Sequence, residues 1–311
     1  MIKVENLSKK YGGHTALDGI SFEAEKGEVL GFLGANGAGK STTMNIITGY
    51  IGSSGGDVYL DGVSVTKEPL KAKKRIGYLP EQPPLYPDMT VFEHLSFVYE
   101  LKKAGKNKRE HLSEIAEKVN ITDVGGRLIK NLSKGYKQRV GFAAALVGDP
   151  DALILDEPTA GLDPRQIVEI RDLIKTLGKE KTVIFSTHIL LEVQAACDKI
   201  IIINAGKIVA SDTAEGLEKR AGSTVNVAST GDFDSAHKLL KEMYQVKSVE
   251  VSARGDVNRF AVAAHDYVDI DVSLPAAIFT AFAKAGLTLV SLNTVRSSLE
   301  DIFIDLTKGA A

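Results

Sequence analysis

The stretch VLGFLGANGAGKSTTMNIITG, residues 29–49, constrains this chain more than any other. A short apolar strand, VLGFL, runs into a glycine-rich turn that opens a helix. Within it GANGAGKST (34–42) fits G-x-x-x-x-G-K-[ST], in the strand–loop–helix frame that this motif needs. Glycines let backbone N–H groups turn inward around an anion, and the helix N-terminus adds partial positive charge. Lys40 is placed to reach β- and γ-phosphates, and Ser41 to ligate Mg²⁺. A glycine-rich turn without function is the alternative, and the complete motif in its frame disfavours it. The expected cradle is Gly34, Asn36, Gly37, Ala38, Gly39, Lys40, Ser41 and Thr42, around a nucleotide with its magnesium.

Three more segments point to the same chemistry. ALILDEPTAGLDP (152–164) is an apolar strand ending in Asp156 and followed at once by Glu157. In a parallel sheet these acids emerge at the carboxyl edge, beside the glycine loop. Asp156 suits the Mg²⁺ shell, directly or through water, and Glu157 suits a base that polarises the attacking water. A solvated acidic loop is the bland reading. His188 ends the strand TVIFST where a γ-phosphate would lie, which suits a sensor; the other five histidines read as structural or exposed. Gln82 follows RIGYLPE, and its amide can meet both Mg²⁺ and the water. The flanking Pro80, Pro83, Pro84 and Pro87 stiffen a surface loop able to report on a partner.

Strands ALILD, TVIFST and KIIIIN (199–204) are separated by helical patterns, which means a parallel sheet with crossovers and an α/β core. The first 33 residues read as short strands, and GGDVYLDGVSV as a hairpin with an Asp-Gly turn. From about 88 to 148 apolar residues recur at three- and four-residue spacing, marking a helical insertion. The pattern shifts near GLEKRAGSTV (216–225), so domains are expected at 1–220 and 221–311. The tail alternates strands and helices as a small α+β, ferredoxin-like module, closing in the helix SLEDIFIDLTK (298–308).

Bulk properties exclude several classes. With 38 basic and 40 acidic side chains the net charge is −2, without the basic excess of a dedicated nucleic-acid binder. No apolar run approaches the roughly 18 residues of a membrane span, and the charged MIKVENLSKK is no signal peptide. A soluble, cytoplasmic chain is expected, with any membrane crossing left to another polypeptide. Its single cysteine, Cys197, reads as a buried structural thiol.

NLSKGYKQR (131–139) is harder to place. It could be a nucleic-acid contact, a solvated helix face, or a second phosphate surface. The order of segments supplies a context. The glycine loop, Gln82, a signature at 132–136, LILDEP, AGLDP and STH together resemble the ATP-binding subunits of ABC transporters, over residues 1 to about 220. The resemblance implies an ABC-type P-loop NTPase core with an N-terminal antiparallel β-subdomain. In that family Tyr11 of LSKKYGG matches the aromatic that stacks on adenine; a strand tyrosine without that role is the alternative. RSSLEDIFIDLTKG and YLPEQPPLYPDMTVFEHLSF are similar to the type-two exporters, which handle drugs, natural products, polysaccharides and gliding-motility components.

The family signature LSGGQ corresponds here to Leu132, Ser133, Lys134, Gly135 and Tyr136. Lys134 and Tyr136 depart from it, while Ser133 and Gly135, which contact γ-phosphate in the family, are retained. Ser133 is a natural N-cap that leaves helix N–H donors facing outward. Two subunits placed head to tail would let each signature close the other's nucleotide, with Asp163 at their interface. Of the basic residues, Lys134 is placed to touch phosphate, and Lys130, Lys137 and Arg139 to face solvent or a membrane partner. The resemblance thus implies an ATPase using Glu157, His188, Gln82 and Lys40, as a homodimer or with a similar ATPase subunit. It also implies a separate transmembrane permease on the cytoplasmic face, and no nucleic acid. A soluble ABC-type ATPase acting on ribosomes or DNA is the alternative, set against one cassette and no basic tail.

Overall fold

The structure, a computed structural model, describes residues 1–220, 223–265, 268–296 and 299–307. Ala221 and Gly222 at the expected domain boundary, and Ser298 and Lys308 at the ends of the expected closing helix, lie outside the described residues.

Strands β1 (Ile2–Tyr11) and β2 (His14–Ala24) open the chain, and β3 (Val29–Leu33) leads through the glycine loop into α1 (Lys40–Ile47). β4 (Gly55–Leu60) and β5 (Val63–Ser64) form the expected hairpin. Its turn residues Asp61 and Gly62 both have positive φ, 42° and 81°, the conformation that matches strand twist in a two-residue turn. Helix α2 (Pro69–Lys74) and β6 (Ile76–Leu79) precede the helical insertion, which holds α3 (Val91–Lys102), α4 (Lys108–Lys118) and α5 (Lys134–Leu146). Thr90 starts α3 with a reciprocal capping box to Glu93. Then come β7 (Ala152–Asp156), α6 (Pro164–Gly178), β8 (Thr182–Thr187), α7 (Leu190–Ala196), β9 (Lys199–Asn204), β10 (Lys207–Asp212) and α8 (Ala214–Arg220).

The core sheet has the order β10-β9-β3-β8-β7-β6. Its strands are parallel except β10, an antiparallel edge strand that the sequence reading did not anticipate. A second, antiparallel sheet runs β2-β1-β4-β5. Leu30, Phe32, Ile154, Ile184 and Ile201 of the parallel sheet share one apolar cluster with Ile2, Val4 and Leu60 of the antiparallel one. Met44 and Ile47 bury the face of α1 in that cluster, which fixes the helix whose first residue is Lys40. Each such side chain contributes about 1.5–3 kcal/mol by leaving water.

Register then places the chemistry. Leu33 pairs with Thr187, Asp156 with Ser186, and Leu79 with Leu155. Four parallel strands therefore end at one edge, and the loops leaving them carry the glycine loop, the two acids, His188 and the segment around Gln82. Cys197, just after α7, turns its thiol towards Gly31, whose Cβ would stand 2.5 Å from the sulfur. Burial, aided by Asp198 and Glu192, pushes that thiol well above its ordinary pKa.

By contacts the chain divides into Met1–Ala214, joined by Leu306 and Thr307, and a second unit Glu215–Asp305. The change falls at the start of α8 rather than after it. The second unit contains β11 (Ser223–Thr230), α9 (Phe233–Glu242), β12 (Val246–Ala253), β13 (Asn258–Ala264), α10 (Ser273–Lys284) and β14 (Thr288–Arg296). Its sheet is antiparallel throughout in the order β12-β13-β11-β14, a β-α-β-β-α-β arrangement. Val225, Val227, Phe260 and Val262 on the sheet pack against Leu240 of α9 and Leu274, Ile278 and Phe282 of α10. The last helix is α11 (Leu299–Thr307). Among the described residues no helix is long and apolar enough to cross a membrane.

Candidate functional site

A cavity of about 490 Å³ opens at the carboxyl edge of the parallel sheet. Asn36, Gly37, Gly39, Lys40, Ser41 and Thr42 form its floor, with Glu157, Ala160, His188 and Glu81 around them and Tyr11, His14 and Ala16 at one end. Gly39 caps α1 with φ 111°, and a Cβ there would meet Leu17 Cδ2 at 2.8 Å and the Ala16 carbonyl at 2.9 Å. Only glycine allows this turn, and the turn starts α1 at the loop. Gly34 and Ala38 are buried in the loop's wall rather than lining the cavity.

Lys40 is 5% exposed. Its ammonium donates to the Gly34 carbonyl at 2.8 Å and the Ala35 carbonyl at 3.3 Å, and stands 3.5 Å from Glu157 Oε1. The other Glu157 oxygen is 2.9 Å from His188 Nδ1. Glu157 has φ 47°, a conformation that costs a non-glycine residue about 1–3 kcal/mol. Its N–H is held by Ser186, through the backbone carbonyl at 3.1 Å and the hydroxyl at 3.2 Å. A strained, buried carboxylate held between a lysine and a histidine is suited to proton chemistry.

Asp156 is almost fully buried, and its Oδ1 accepts from Ser41 at 3.2 Å and from Ser186 at 2.5 Å. A hydroxyl and a carboxylate side by side at a phosphate loop make the hard-oxygen set that Mg²⁺ takes together with substrate phosphates. Among the described residues no group of three or more His, Cys, Asp or Glu is arranged to hold a metal ion.

Gln82 is exposed and does not line the cavity, whereas its neighbour Glu81, also exposed, does. Tyr11, at the end of β1, keeps 50% of its surface exposed at the cavity's mouth, with Lys9 Nζ 5.1 Å from its ring centroid. His14, paired with Tyr11 across the β1–β2 turn, lines the same end and was not singled out in the sequence.

The signature residues do not line this cavity. Ser133 caps α5, accepting from the Tyr136 N–H at 3.4 Å, and is exposed with Lys134. Gly135 has a local reason: a Cβ there would stand 2.5 Å from the side-chain amide of Gln166 on α6. The two departures from the family signature have partners within the chain. Lys134 Nζ lies against Gly161, 2.0 Å from where a Cβ would be, and Tyr136 donates to Asp123 Oδ2 at 2.9 Å. That bond pushes the Tyr136 pKa up. Arg139 turns inward, contrary to expectation, donating to the Val119 carbonyl at 3.1 Å and pairing with Glu169. Asp163 is exposed and caps α6, accepting from the Gln166 N–H at 2.9 Å.

Known proteins resemble this chain in sequence and fold. Residues 17–160 match the ABC transporter family. The chain is 35% identical to the linearmycin resistance ATP-binding protein LnrL of Bacillus subtilis (strain 168), over 99% of this chain and 98% of that one. It is 32% identical to the bacitracin transport ATP-binding protein BcrA of Bacillus licheniformis, again over 99% and 98%. The dimeric structure of MJ0796, a bacterial ABC transporter cassette, matches with a TM-score of 0.64 and 28% identity, over 68% of this chain and 98% of that one. A dimeric post-hydrolysis state of the same cassette, bound to ADP and Pi, gives 0.63 at the same identity and coverage. The chain belongs to the ABC transporter family of ATP-binding subunits, which bind ATP with Mg²⁺ and hydrolyse it.

Proposed function

We propose that this chain is the motor subunit of an exporter, working on the cytoplasmic face of the membrane through a separate permease. The observation that carries the reading is the cavity itself, where one phosphate loop, a buried carboxylate and a histidine meet. Lys40 would exchange its loop carbonyls for β- and γ-phosphate oxygens. Glu157 would accept a proton from the attacking water, and His188, 2.9 Å from it, would contact the γ-phosphate. Ser41 and Asp156 would hold Mg²⁺, whose charge offsets that of the phosphates. Glu81, which lines the cavity, would stand at the metal and water where Gln82 was expected. Tyr11 offers its exposed ring face to adenine.

Ser133, Gly135 and Asp163 have no place in the cavity of their own chain, which supports a head-to-tail homodimer closing around two nucleotides. Hydrolysis would then release what binding joined. Gly34 and Ala38, buried in the loop's wall, would shape the cradle that holds the phosphates. The second unit would have a regulatory or dimer-supporting role.

The permease would dock in a separate groove of about 400 Å³ beside Gln82, whose walls include Tyr50, Pro83, Tyr86, Phe97 and Leu101. Leu101 is 71% exposed there, and Tyr50 77%. His94 Nδ1 is buried in the same wall with no hydrogen-bond partner, which a donor on the docked segment would satisfy. The relatives named for linearmycin resistance and bacitracin transport make an antimicrobial natural product the substrate class of choice. Purification of the full chain from membranes tests this: a permease should accompany it, and Leu101→Glu should lose the permease while keeping ATP binding. Wild-type chain that retains no membrane protein would overturn the proposal.

A further inference from the structure

Glu192, in the first turn of α7, does not line the nucleotide cavity and is only 6% exposed. Its Oε1 accepts from the Thr159 hydroxyl at 2.5 Å and its Oε2 from the Thr187 hydroxyl at 2.7 Å. Both threonines are buried. Among the described residues no basic side chain is recorded as an ion-pair partner of Glu192. A buried carboxylate held only by hydroxyls is costly, and simple packing would be served as well by an uncharged side chain. What distinguishes this carboxylate is which two segments it joins.

Thr187 is the residue before His188. Its hydroxyl, while donating to Glu192, accepts from the Ile189 N–H at 3.0 Å and so closes a small turn around His188. Thr159 lies two residues after Glu157, on the segment that continues through Ala160 in the cavity wall to Asp163. Between them, the Pro158 carbonyl accepts from Gln138 Nε2 at 3.0 Å, and Gln138 is buried on α5, the helix that Ser133 caps. One carboxylate thus ties the loop of His188 to the loop of Glu157 and Asp163, and the second loop is tied in turn to the signature helix.

We propose that Glu192 is a positioning residue for ATP hydrolysis: by fastening Thr187 and Thr159 together it holds His188 in register with Glu157. The proposal rests on the roles given above to Glu157 and His188. It requires that the threonines and Glu192 act as one unit, so that losing any member releases the same constraint.

The test uses the full-length chain. Glu192→Gln keeps the size but presents an amide donor to one of the two hydroxyls. It should lower kcat for ATP hydrolysis by about 10- to 100-fold and leave the KM for ATP within about twofold, because no cavity residue changes. Thr187→Val and Thr159→Val should show the same split, and Thr187→Ser, which keeps the hydroxyl, should restore most of kcat. The Glu192→Gln, Thr187→Val double variant should lose no more than about threefold beyond the worse single. A kcat within twofold of wild type for Glu192→Gln, a rise in KM without loss of kcat, or losses that multiply in the double variant would each overturn the proposal. If Glu192→Gln fails to fold, the two valine variants carry the same test. Wild-type turnover in Glu157→Gln would instead overturn the parent reading, whereas an inactive Glu157→Gln beside a fully active Glu192→Gln sinks this inference alone.

Discussion

Replacing Glu157 by glutamine separates binding from chemistry in this site. The carboxylate stands 3.5 Å from Lys40 Nζ, with 11% and 5% of the two side chains exposed. At such separations two unit charges interact by about 4 kcal/mol at an effective dielectric of 20. Part of that attraction must be given up when Lys40 turns to a phosphate, and the carboxylate repels the phosphate as well. The glutamine removes both effects, so ATP affinity should hold or improve by up to about tenfold, equivalent to about 1.4 kcal/mol. Turnover loses its base and should fall by about 10² to 10⁴, or about 2.7–5.5 kcal/mol of barrier. The αL backbone accepts glutamine no worse than glutamate, so folding should be unaffected. Equilibrium ATP binding, phosphate release and light scattering with and without ATP read the three quantities. The variant should bind ATP and persist as an ATP-bound dimer. Turnover within about tenfold of wild type would refute the assignment of Glu157 as the base.

Ser133→Ala should cost about 0.5–1 kcal/mol of stability through the lost cap. Its diagnostic effect is a more than tenfold loss of turnover and of ATP-driven dimerisation with monomer ATP binding unchanged; Gly135→Ala is less clean because it collides with Gln166. Glu81→Gln should change the magnesium dependence of turnover, and Gln82→Ala should not; the reverse pattern in a magnesium titration would give that position to Gln82. Asp149 accepts from Lys106 and Lys181 at 2.6 Å each, and these bonds hold its carboxyl well below the usual carboxylate range. A depressed folded pKa stabilises above the unfolded value, near pH 4, and that stability is lost as pH falls through the lower folded value. Asp149→Asn, which tolerates the native φ of 53°, should cost about 1 kcal/mol at pH 7, with the gap to wild type closing below about pH 4 in urea melts.

The parts legible in the sequence are those fixed by covalent spacing. The glycine loop, the acids after an apolar strand, His188 after another, and Ser133 as a cap each follow from a residue type at a set place on one element. What escaped depends on which way a chain bends or on a partner from elsewhere. Glu81 and Gln82 are adjacent polar residues after the same strand, and only the bend beyond Leu79 decides which lines the cavity. Tyr136 could be read only as a departure from the family signature, because its acceptor Asp123 lies on the loop after α4. Arg139 was read as a surface charge because a sequence does not show the Val119 carbonyl beside it. Strand β10 is mostly half-exposed and lacks the continuous apolar run that announced β7, β8 and β9.

The thiol that faces Gly31 has a practical consequence. Its raised pKa and inward position leave it poorly nucleophilic, and the chain has no other cysteine. The protein therefore carries one half-buried, slowly reacting native thiol as its background for thiol labelling. A label placed at an exposed position outside the site, such as Asn131→Cys beside the signature, would report the distance between the two signatures of the proposed dimer during turnover, with Cys197 left in place as a slow background.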